Sequence, residues 1–120
     1  MTGNAARTIS RQDLHALIGR KEPLVLVEAL PAGHFAKGHL PGAINLPHDK
    51  VREMAPSLLP DRNAAIVTYC ASATCRNSHI AADTLRAMGY ANVRVYAEGK
   101  QDWIEAGLPV EIGTAAAEAA

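Results

Sequence analysis

The apolar positions fall into short runs separated by amphipathic segments. Leu24-Val25-Leu26-Val27 is a continuous apolar run after Pro23 and predicts a strand buried on both faces. Ala64-Ala65-Ile66-Val67-Thr68-Tyr69 reads as a second such strand, and Val93-Arg94-Val95-Tyr96 as a third. Ala43-Ile44-Asn45-Leu46 adds a short one after the turn cluster Gly38-His39-Leu40-Pro41-Gly42. Between them the period changes. Leu14, Leu17 and Ile18 recur at helical spacing, and Ser10 with Asp13 forms a capping-box-like start, so residues 11–19 predict a helix. Ala32–Lys37 and Gln101–Ala106 predict short helices, the latter stopped by Gly107 and Pro109. Residues 49–58 suggest a helix disturbed by Pro56. Ile80, Thr84, Leu85 and Met88 share one helical face on a helix that starts near Arg76 and is capped by Gly89. Strands alternating with helices imply an α/β fold with a mainly parallel central sheet.

Composition narrows the function classes. The chain has 120 residues, enough for one domain, and 48% are hydrophobic. Lys plus Arg and Asp plus Glu are 12 each, so no global basic field exists to hold nucleic acid or an anionic membrane surface. Aromatics at 4% argue against base-stacking platforms. The start, Met1-Thr2-Gly3-Asn4-Ala5-Ala6-Arg7, lacks the pattern of a secretory signal, and no apolar run could span a bilayer. The expected location is cytoplasmic. Residues 1–7 read as an N-terminal arm, 8–112 as the domain and 113–120 as an Ala-rich, frayed tail.

The candidate chemistry lies at strand ends, where open parallel sheets bind ligands. The first core strand ends at Glu28, and the second runs from Tyr69 directly into Cys70. The loop Ala71-Ser72-Ala73-Thr74-Cys75-Arg76 joins that strand to the next helix. Its small residues allow the backbone N–H groups to curl into an anion nest under the helix dipole. A thiol there is depressed in pKa and nucleophilic. Arg76 adds a forked cation suited to an oxyanion. Two cysteines make no disulfide framework. Zinc held by Cys70, Cys75 and His79 lacks a fourth ligand and the usual spacing, so no metal is assigned. No cofactor is assigned either.

These segments resemble the rhodanese homology domain. Gly38-His39-Leu40-Pro41-Gly42-Ala43 is similar to that family's Gly-His-Ile-Pro-Gly-Ala segment. Tyr69-Cys70 matches its strand leading to the active cysteine, and Glu98-Gly99, Trp103 and Gly107-Leu108-Pro109 match its C-terminal pattern. The resemblance covers roughly residues 8–112. It implies a single-domain, three-layer α/β/α fold and a sulfurtransferase in which Cys70 carries sulfane sulfur as a persulfide. The partners implied are a small sulfur donor and a thiol acceptor, a protein thiol or cyanide among the candidates. Gly38, His39 and Trp103 are read as scaffold.

Two departures stand out. The family's Asp-x-Arg at the end of the first core strand is Glu28-Ala29-Leu30 here, which keeps a carboxylate and loses the arginine. The active loop is also longer than in typical single-domain members. A second cysteine and a following serine, Cys75 and Ser78, resemble a subgroup of the family. Cys75 is a candidate resolving cysteine. The Cys70-x5-Arg76 spacing also matches phosphatases and arsenate reductases of this fold, although Asn77 stands where Ser or Thr is usual. For that chemistry Glu28 or Asp49 is the candidate acid, with a structural carboxylate as the alternative. A non-catalytic binding or thiol redox-sensing module is the third reading.

Overall fold

The structure, a computed structural model, describes residues 7–113. Helix α1 (Arg11–Gly19) starts where expected, with the Ser10 hydroxyl accepting from Asp13 N–H at 3.0 Å. Strand β1 (Val25–Glu28) follows, then α2 (Ala32–Lys37) and the two-residue strand β2 (Ile44–Asn45). The segment expected as one helix over 49–58 is divided. A 3-10 turn at His48–Lys50 leads into α3 (Val51–Leu58). Pro56 sits in the last turn of α3 and offers no N–H to the Arg52 carbonyl, and the helix ends two residues later. The Tyr90 hydroxyl satisfies the carbonyl of Leu59 at 2.6 Å. Strand β3 (Ile66–Tyr69), α4 (Asn77–Ala87), β4 (Val93–Tyr96) and α5 (Gly99–Glu105) complete the described elements.

The four strands pair in parallel in the order β2-β1-β3-β4. Thr8 extends the sheet by a parallel bridge to Val95. Each central strand is buried on both faces, so alternate residues feed opposite layers. Val27, Ile66, Val93 and Val95 pack under α3 and α4. Leu26, Val67, Tyr69 and Tyr96 pack with Leu14, Phe35 and Trp103 on the α1, α2 and α5 side. The expected apolar face of α4 needs correction. Its buried residues are Ser78, Ala81, Ala82 and Leu85, whereas Ile80 is exposed. Small side chains let this helix lie close to the sheet, and close approach outweighs the bulk of isoleucine. The expected arm and tail lie outside the described residues except for Arg7, at one end, and Gly113, at the other. Among the described residues no helix is long and apolar enough to cross a membrane.

Topology locates the site. From β1 the chain moves outward to β2, and from β3 it moves the other way to β4. The strand order therefore reverses between β1 and β3, and the crevice beyond their carboxyl ends is the expected ligand position. Glu28 and Tyr69 are register partners at that edge.

Candidate functional site at the carboxyl edge of the sheet

Cys70 is the first residue after β3 and is buried. The loop then turns back on itself, with Cys75 N–H donating to Ser72 O at 3.1 Å. This brings the Cys70 and Cys75 Cα atoms to 6.3 Å, and the two sulfurs are joined as a disulfide. Ala71, Ser72 and Cys75 are half-buried, while Ala73 and Thr74 form the exposed tip. The Ser72 and Thr74 hydroxyls lie 3.1 Å apart across that tip.

Two helices hold the loop. Ser78, in the first turn of α4, is buried and places its Oγ 3.5 Å from Cys70 Sγ. Its position is fixed by Thr68 Oγ1, which donates to Ser78 O at 2.9 Å. From the other side, the first turn of α5 donates backbone N–H groups to the loop: Lys100 to Cys70 O and Gln101 to Ala71 O, both at 2.8 Å. Gly99 makes that approach possible. It has φ +79°, and a Cβ there would stand 2.7 Å from Ser72 N and 2.8 Å from Cys70 O.

Glu28 belongs to the support beneath the loop. It is fully buried, and both carboxylate oxygens are taken. Tyr69 donates to Oε1 at 2.8 Å, and Lys100 Nζ donates to Oε2 at 3.0 Å. Lys100 Nζ also donates to Gly38 O at 2.7 Å and His34 O at 3.0 Å. A cation thus reaches the carboxylate, but from α5 rather than from the position two residues after Glu28. Burial, and next the Glu28 charge, push the Tyr69 hydroxyl far above the usual tyrosine range. Burial and the hydrogen bond to Asp102, 2.6 Å, do the same to Tyr96. Replacing one partner of the Glu28–Lys100 pair strands the other charge. Lys100→Met is therefore expected to lower stability by about 3–5 kcal/mol, read from urea unfolding of the reduced protein. A loss below about 1 kcal/mol, the level of an exposed pair, would contradict this role.

The remaining candidates lie elsewhere. Arg76 is exposed at the N-cap of α4 and lines a cleft with His79, Asp83 and Arg86. Asp49 is exposed in the 3-10 turn. His39 stacks on Phe35, ring centroids 3.8 Å apart, with Nδ1 3.0 Å from Phe35 O. Trp103 is buried and donates to Pro109 O at 2.7 Å. Both therefore build scaffold. Lys100 was not legible as a site residue, because 72 positions separate it from Glu28. The one local signal was its place directly after Glu98-Gly99.

The sequence model of the rhodanese-like domain matches residues 10–106. The chain belongs to the rhodanese-like family. This rhodanese-like chain is 34% identical over 113 residues to an HTH-type transcriptional regulator of Mycobacterium tuberculosis, covering 92% of the chain and 47% of the regulator. It is 36% identical over 59 residues to the thiosulfate sulfurtransferase PspE of Escherichia coli, covering 49% of the chain and 55% of the relative. The chain thus spans about half the length of these curated relatives. Among solved structures, a rhodanese with anions from Escherichia coli superimposes with a TM-score of 0.63 at 29% identity, over 75% of this chain and 99% of that one. The family includes sulfurtransferases, and this chain has the three-layer arrangement that the resemblance implied.

Proposed function

We propose that this rhodanese-like domain is a sulfurtransferase that carries sulfane sulfur on Cys70. The observation that supports this most is the placement of Cys70. It is buried at the switch point between β1 and β3, beside the Ser78 hydroxyl, with a second cysteine within bonding reach. The disulfide seen here is the resting oxidised form, and a dithiol reductant returns both thiols. In the reduced form Ser78 Oγ–H donates to the Cys70 thiolate and holds it toward the donor. The thiolate attacks the outer sulfur of thiosulfate, the S–S bond breaks, and sulfite leaves with its electron pair. Cys70 then bears a persulfide. A thiolate acceptor attacks the terminal sulfur and regenerates the Cys70 thiolate.

Cys75 supplies a second exit. Its thiolate attacks Cys70 Sγ, the terminal sulfur leaves as hydrosulfide, and the two cysteines are oxidised to the disulfide. Wild-type persulfide without acceptor is therefore expected to release one equivalent of sulfide and stop. Cys75→Ser should retain the persulfide at least about tenfold longer, measured by methylene-blue sulfide assay. Equal sulfide release from both proteins would remove the resolving role.

A second reading is a thiol redox-sensing module. It is favoured by the same disulfide and by the likeness to the transcriptional regulator. Turnover separates the two: a sensor forms the Cys70–Cys75 bond under mild peroxide but makes no thiocyanate from thiosulfate and cyanide. The phosphatase or arsenate reductase reading depends on Arg76 closing over the loop, and its place in the cleft beside α4 offers no support for that.

A further inference from the structure

Away from the loop, a cleft runs between α4 and the outer edge of the sheet. Arg76, His79, Asp83 and Arg86 recur at intervals of three, four and three, which sets them on one stripe of the helix. Arg7, Thr8 and Val95 complete the lining. This cleft has a volume of about 240 Å³. An adjoining recess of about 540 Å³ shares Arg7 and Arg86 and adds Asn92 and Arg94.

The charge balance of this region departs from that of the chain. The whole chain carries 12 basic and 12 acidic residues, yet here four arginines face one carboxylate. That carboxylate, Asp83, is already paired with Arg86 Nη1 at 3.1 Å. Arg86 Nη2 donates to Val93 O at 2.9 Å, which holds the guanidinium at the junction of the two recesses. Among the described residues Arg7, Arg76 and Arg94 form no ion pair. Burial, and next the charge of Arg7, push the Arg86 pKa down, while Asp83 opposes this. An arginine keeps its charge at neutral pH even so. Like charges held together in a concave site are relieved by a bound anion.

We propose that this cleft is a binding site for a small oligophosphate, distinct from the Cys70 loop. Three features fix the ligand class. Arg76 and Arg86 are rooted ten residues apart, about 15 Å along the helix, and Arg94 lines the adjoining recess, so the cations are spread over more than one phosphate position. Guanidinium forks match phosphate oxygens in bidentate geometry. The two recesses have the size of small-molecule sites, and a chain of zero net charge lacks the extended field that holds nucleic acid. The assignment is independent of the sulfur chemistry.

The test is an amide NMR titration of the full chain with inorganic tripolyphosphate, orthophosphate and a short single-stranded oligonucleotide. Tripolyphosphate is expected to shift His79, Asp83, Asn92 and Arg94, and to bind at least about tenfold tighter than orthophosphate. The double variant Arg7→Glu, Arg94→Glu leaves the Arg86 contacts and the Cys70 loop in place. It should lose at least about tenfold in tripolyphosphate affinity and retain sulfur transfer. Shifts confined to Ala71–Thr74, unchanged affinity in the double variant, or equal affinity for orthophosphate would overturn the site. Tighter binding of the oligonucleotide would overturn the small-ligand assignment.

Discussion

Cys70→Ser is expected to lower thiocyanate formation from thiosulfate and cyanide by at least about a thousandfold, because the thiol that remains, Cys75, lacks the buried strand-end position and the Ser78 contact. The fold should survive. The substitution replaces sulfur by oxygen at a buried position whose neighbour, Ser78 Oγ, is itself a hydroxyl. Stability gives an internal control. The Cys70–Cys75 bond closes a loop of sequence separation 5, and chain entropy assigns such a closure about 2 kcal/mol. Oxidised wild type should therefore exceed Cys70→Ser by about that amount in guanidinium unfolding, and reduced wild type should match it. Residual turnover above a hundredth of wild type would mean that another group carries the sulfur.

The second large effect is expected at Gly99. Alanine there meets two obstacles at once. The φ of +79° disfavours any side chain, and the new Cβ stands within 2.9 Å of Ser72 N, Ser72 Cα and Cys70 O. These are backbone atoms held by the Lys100 and Gln101 hydrogen bonds, so they cannot rotate away. Gly99→Ala should cost about 3–5 kcal/mol and also reduce sulfur transfer, because the loop must shift to admit the methyl group. Gly107 has nearly the same φ, +78°, with open space around its Cβ position. Gly107→Ala should therefore cost only about 1–2 kcal/mol and leave transfer intact. Comparing the two by urea unfolding and initial rates separates backbone strain from contact with the loop. Equal losses in both would show that Gly99 matters only for its dihedral angle.

The contrast between these two glycines also marks what the sequence could and could not reveal. Local signals were legible. The Ser10 cap, the apolar runs of β1, β3 and β4, and the step from Tyr69 into Cys70 each follow from neighbouring residues, and they place Glu28 and Cys70 at the carboxyl edge of the sheet. Where packing decides, local signals misled or fell silent. Ala81 and Ala82, not Ile80, face the sheet, since the helix–sheet distance sets which side chains fit. The segment expected as one helix over 49–58 divides between Lys50 and Val51, ahead of Pro56, which is accommodated inside α3. Lys100 as counter-ion to Glu28 depends on α5 folding back over β1, which no periodicity encodes. The route of Arg76 into the α4 cleft likewise follows from the helix axis and not from its spacing to Cys70.

The two cysteines stand in unequal surroundings. Cys70 has the buried strand-end position, the Ser78 hydroxyl and the backbone brace from α5, whereas Cys75 has a half-buried place on the returning loop. The central claim is that sulfane sulfur is carried on Cys70 as a persulfide. Intact and peptide mass spectrometry of the reduced Cys75→Ser protein after thiosulfate exposure tests it most directly. The account predicts a gain of about 32 Da, one sulfur atom, confined to the peptide bearing Cys70 and removed by cyanide. No gain in mass, or a gain elsewhere in the chain, would contradict it.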